Sequence, residues 1–119
     1  MKITNRQAVT FYNAVTEITE KSLPIKLLFA LDYNVNLFRN QLALYEKSLK
    51  LLEEQYGDLN HNTPKELIEL LDESVEQAVK TVNVSLLEAI DANPNYDKLS
   101  LSNYNAIRFM VEDDEMTKE

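Results

Sequence analysis

The chain has 119 residues, 45% hydrophobic and 27% charged, with a net charge of −8 and no cysteine. That length supports one small domain, and the composition is that of a folded globular protein. The missing cysteines exclude disulfides, thiol catalysis and thiolate metal sites, and they suit a reducing cytoplasm.

A single glycine, Gly57, and three prolines, Pro24, Pro64 and Pro94, favour long helices over a turn-rich β fold. No apolar run approaches the roughly 18 residues of a membrane span, and the N-terminus has no long apolar signal core. The expectation is a soluble cytoplasmic protein. Charge is unevenly placed. Residues 1–56 carry seven bases and six acids, whereas residues 57–119 carry five bases and fourteen acids. Clustered Lys and Arg, which a phosphate backbone requires, are missing, so direct nucleic-acid binding is not expected.

"TNRQ" at Thr4–Gln7 has the form of a capping box, followed by Ala8, Phe11, Tyr12, Val15 and Ile18 at helical spacing. The pattern predicts a first helix over about Asn5 to Glu20. "SLP" then closes this unit and opens the next, with Pro24 suited to a first helical turn. From Pro24 to Tyr56 the series Leu28, Leu31, Val35, Phe38, Leu42, Tyr45, Leu49, Leu52 and Tyr56 alternates three- and four-residue steps. Unbroken, that helix would extend about 50 Å at 1.5 Å per residue. Gly57 stands where a left-handed residue would close it.

"DLNHN" reads as a polar loop. Thr63, Pro64 and Glu66 resemble a second capping box, and Ile68, Leu71, Val75, Ala78 and Val82 continue a helical seam. Two helices joined by so short a loop imply an antiparallel hairpin. Residues 80–101 leave two alternatives open, continued helix through Leu86 and Ile90 or a minor β-hairpin, with helix preferred. "NPNYD" is a loop, and Ser102 is expected to cap a short last helix carrying Tyr104, Ile107, Met110 and Val111. The fold class is thus mainly α: a long, coiled-coil-like antiparallel hairpin with a flanking N-terminal helix and a short C-terminal one. Residues 1–111 form a single helical domain, and residues 112–119, "EDDEMTKE", form an acidic, frayed tail.

No residue set announces catalysis. Glu66, Glu69, Asp72, Glu73 and Glu76 resemble the carboxylate spacings that hold magnesium. On a helix, however, Glu66, Glu69, Glu73 and Glu76 would centre about 170° from the apolar seam, so they read as an acidic surface. His61, the only histidine, has no partner for a triad or a zinc site. One glycine cannot build a phosphate loop. The expectation is a non-enzyme without cofactor or metal.

A second apolar stripe runs along the long helix. Leu37, Leu44 and Leu51, in line with Ala30, fall about 110–150° from the seam. Three leucines left in water invite association, so they are the expected interaction surface, with a homodimer favoured over cover by another segment of the same chain.

"SLPIKLLFALDYNVNLFRNQLALYEKSLKLLEEQYG" together with "LSLSNYNAIRFMVEDDE" resembles a family of small uncharacterised proteins encoded by phages and prophages of Gram-positive bacteria. Leu-Pro entry, Asn34 in the first amphipathic stretch, a long charged helix ending in Tyr-Gly, and a terminal helix rich in Phe, Met and acids carry the likeness. It implies a viral origin and a place in the host cytoplasm, or in association with the virion, and it brings no catalytic residue. Two functions follow as expectations. The first is a protein–protein interaction module accessory to phage assembly or replication; the second is an acidic inhibitor of a host nucleic-acid enzyme or defence system.

Overall fold

The computed structural model describes residues 1–59 and 63–112. The fold is mainly helical. Strand β1 (Lys2–Thr4) leads into α1 (Asn5–Thr19), followed by α2 (Ile25–Leu37), α3 (Arg39–Tyr56) and α4 (Lys65–Asp72). Strands β2 (Ser74–Glu76) and β3 (Val82–Asn83) precede α5 (Val84–Ala92) and α6 (Leu101–Ile107). A 3₁₀ turn at Arg108–Met110 then opens onto β4 (Val111–Glu112).

Helix α1 begins where the sequence places it. The Thr4 hydroxyl accepts the Gln7 N–H at 3.1 Å, and the Gln7 side chain accepts the Thr4 N–H at 2.9 Å. Its buried positions Asn5, Ala8, Phe11, Val15 and Ile18 form one stripe. Helices α2, α3, α4 and α6 all pack around that stripe, so the first helix is the centre of the fold rather than a flank. Phe11 meets Phe38 at 5.6 Å and Phe109 at 5.3 Å between ring centroids, both edge to face, and Phe38 lies 5.7 Å from Phe109. Such pairings add about 0.5–1.5 kcal/mol each beyond the area they bury.

The span from Pro24 to Tyr56 is not one rod. It is two helices interrupted at Phe38, whose ψ of −3° departs from helical geometry. Phe38 still donates its N–H to the Asn34 carbonyl and accepts the Leu42 N–H, so the heptad phase carries through. Every seam position from Leu28 to Tyr56 is buried or half-buried. Gly57 closes α3 at φ 79°, as expected, but at ψ −141°, outside the left-handed helical region.

Helices α3 and α4 form the antiparallel hairpin, and here the fourth helix is shorter than its apolar seam suggests. It ends at Asp72 because tertiary pairing takes over. The Asn5 side-chain amide donates to the Leu70 carbonyl at 2.8 Å and the Asn5 backbone N–H to that of Glu73 at 2.9 Å. Residues 74–76 then pair antiparallel with β1, Ile3 opposite Val75. The Thr63 capping box does not form; Pro64 takes the cap position without a side-chain bond.

Within 80–101 the helix reading holds for Val84–Ala92, and Asn83 caps it by accepting the Ser85 N–H at 2.9 Å. The hairpin alternative is not adopted. Val82 and Asn83 pair instead with Val111 and Glu112, in parallel, joining the middle of the chain to its C-terminal part. The last helix is capped by Ser100 rather than Ser102, in a capping box with Asn103. Glu112 belongs to that small sheet, and residues 113–119 of the expected tail lie outside the described residues. No helix among the described residues is long and apolar enough to cross a membrane.

Candidate functional site

Two buried amides organise the surfaces on either side of Phe38. Asn34, fully buried on α2, donates to the Lys80 carbonyl at 2.9 Å and accepts the Lys80 N–H at 2.8 Å, clamping one extended residue as a neighbouring strand would. Gln41, on the first turn of α3, donates to the Ile3 carbonyl at 2.9 Å and to Asn5 at 3.0 Å, and accepts the Gln77 amide at 3.0 Å. Buried amides with all partners present hold their segments in one register, because leaving any of them unpaired would cost about 1–3 kcal/mol. No buried side-chain N or O atom among the described residues lacks a partner.

The expected leucine stripe divides at the same point. Ala30 is buried and Leu37 packs against the core, whereas Leu44 and Leu51 are 65% and 59% exposed. Gln41 is the only buried residue of α3. Beyond it the helix is only partly buried, mainly along its seam, where α1 lines it as far as Leu49 and α4 also packs, while Leu44 and Leu51 face outward. This part of α3 forms an arm of a molecule that measures 50 × 33 × 21 Å along its principal axes.

The four acidic residues do not share one helix face. Glu66 and Glu69 lie on α4, Glu73 in the extended connection and Glu76 on β2, all of them exposed. Glu66 on α4 lies near Tyr56 at the end of α3, and its hydrogen-bonding carboxylate, followed by burial, raises that phenol. Glu76 receives the Met1 ammonium at 2.6 Å, and this bond followed by the charge itself holds its carboxyl below the ordinary value. Among the described residues no group of three or more His, Cys, Asp and Glu side chains is arranged to hold a metal ion. His61 lies outside the described residues.

A second apolar surface, absent from the sequence reading, stands on α2. Ile25, Phe29 and Tyr33 recur every four residues and are 81%, 61% and 44% exposed. The Phe29 and Tyr33 rings sit 6.3 Å apart. Beside them runs a groove of about 590 Å³, walled by Ile25 and Phe29 on one side and by Val82 and Leu86 on the other, with Lys26 and Lys80 on its rim. The Asn34 clamp fixes the 80–83 wall in place. Periodicity could not find this surface, because six of the seven residues from Ile25 to Leu31 are apolar and no side of that turn stands out.

A smaller cleft of about 370 Å³ brings Arg6 and Arg108 together over Phe109, but Arg6 already reaches Asp72 at 3.3 Å. No protein-family model matches the chain, and no curated protein or solved structure is significantly similar to it.

Proposed function

We propose that this chain is a phage-encoded, non-enzymatic protein–protein interaction module of the host cytoplasm, accessory to phage assembly or replication, that binds through the α2–α3 span. One observation carries the reading: a single stretch of 32 residues, Ile25–Tyr56, exposes Ile25, Phe29, Tyr33, Leu44 and Leu51. Isolated exposed apolar residues are ordinary, but two ordered stripes on consecutive helices are what partner surfaces present. The resemblance to small phage proteins supports the viral setting. Homodimerisation through Leu44 and Leu51 is the form of association expected on the α3 arm.

Affinity capture from host cells, quantified by mass spectrometry, tests the module. The expectation is a protein partner retained by the unaltered chain and lost on Leu44→Lys with Leu51→Lys, or on Phe29→Lys. A partner list unchanged by both sets of substitutions defeats the proposal. Light scattering at micromolar concentration tests the dimer, which Leu44→Lys should dissociate. A second reading, inhibition of a host nucleic-acid enzyme, is favoured by the exposure of Glu66, Glu69, Glu73 and Glu76, since exposed carboxylates can occupy a basic channel. It predicts a nuclease or polymerase partner whose binding weakens with salt.

A further inference from the structure

We infer that the groove between α2 and the 80–86 wall receives an amphipathic segment of a partner protein, one that presents neighbouring large apolar side chains flanked by carboxylates. This deepens the interaction-module reading and rests on it. The groove's volume of about 590 Å³ lies within the roughly 300–1,000 Å³ of natural binding pockets. Its walls are built rather than incidental. The Asn34 amide fixes Lys80 by both backbone groups, the β3–β4 pairing fixes Val82, and the Asn83 cap fixes the start of α5. Ile25 and Phe29 therefore face a wall that is already in place, and a ligand need not order it.

Charge selects the occupant. Among the described residues, Lys26 and Lys80 are the ionisable side chains that line the groove, and both are bases, in a protein whose net charge is −8. On α2 the nearest acid, Asp32, falls on the opposite flank of the Phe29 stripe from Lys26, about 120° away around the helix. Two lysine ammoniums on the rim of an apolar groove complement carboxylates beside apolar anchors, and they disfavour basic ligands by like-charge repulsion. A second copy of this chain is expected to associate through Leu44 and Leu51 on the α3 arm instead, away from this groove.

The probe is a random peptide library selected against the immobilised full-length chain, with enriched sequences resynthesised and measured by fluorescence anisotropy. The expected winners place aromatic or aliphatic residues next to Asp or Glu, and their binding weakens with added salt. Phe29→Lys should weaken them about tenfold or more, since one buried aromatic anchor is lost. Lys26→Glu with Lys80→Glu should turn the selection towards Lys- and Arg-bearing peptides. Circular dichroism checks that each variant folds; should Phe29→Lys not fold, Ile25→Lys, at the most exposed position of the stripe, takes its place. Failure to enrich any sequence, enrichment without acids, or binding indifferent to the stripe substitutions overturns the inference. So does a sedimenting dimer that Phe29→Lys dissociates, which would place a second copy in the groove. A cellular partner lost only with Leu44→Lys and Leu51→Lys would leave the module standing and remove the groove from it.

Discussion

Helices α2 and α3 share one heptad register, yet they live in different surroundings. Helix α2 buries Leu27, Ala30, Leu31 and Asn34, whereas the longer α3 buries only Gln41. The difference lies in what surrounds them and not in the seam. Helix α1, the clamped residue at Lys80 and the Met110 turn enclose α2, with the Asn34 amide 3.5 Å from the Met110 sulfur. On α3, burial after the first turn is only partial and follows the seam, where α1 and α4 both pack. An apolar period specifies which residues can be buried together; how closely the neighbouring elements enclose the helix decides how wide a stripe is buried.

The contrast breaks most directly at the aromatic junction. Phe11→Ala removes the ring that meets both Phe38 and Phe109, and should lower stability by about 3–5 kcal/mol in denaturant unfolding. A loss under 1 kcal/mol would mean that the core is not centred on α1. Asn34→Leu keeps the volume but strands the N–H and C=O of Lys80, for an expected loss of about 2–4 kcal/mol. The same substitution should release protection of the residue 80 amide in hydrogen exchange before the amides of α1.

On the arm the effects should be smaller. Leu49→Ala, at a half-buried seam position, is expected to cost about 1–2 kcal/mol, below the range for fully buried leucines. Leu44→Lys should change monomer stability by no more than about 0.5 kcal/mol, because that side chain already faces solvent. An equal loss at Leu44 and Phe11 would erase the distinction between arm and body.

The mildest test is acid. The Glu76 carboxyl is held below its ordinary 4.5 by its bond to the Met1 ammonium and by that charge. Its contribution is therefore fully present above pH about 4.5 and disappears as the pH falls through the lowered value. Glu76→Gln should flatten that part of the acid titration of stability, while the pH-7 fold persists.

Much of this architecture was legible in the residues, and the gaps have physical reasons. Local chemistry announced itself: the Thr4–Gln7 box, Gly57 at the end of α3, and the heptad series all occupy the places their spacing predicts. Long-range pairing did not. Strands of two or three residues, such as Ser74–Glu76 and Val82–Asn83, are too short to display a period, and they form because a remote segment supplies the ladder. That pairing also overrode the helical pattern running through Val75. Ser100 and Ser102 are equally good caps by type, and Asn103 decides between them by completing the box with Ser100. The α3 leucines were legible as an exposed stripe because their neighbours are charged. Phe29 was hidden among other apolar residues.

One consequence of the Asn34 clamp concerns how this molecule can change. Asn34 grips position 80 by its peptide group alone, and the exposed lysine side chain makes no hydrogen bond or ion pair among the described residues. A single codon change there would therefore reverse the electrical sign of that wall while the scaffold stays intact.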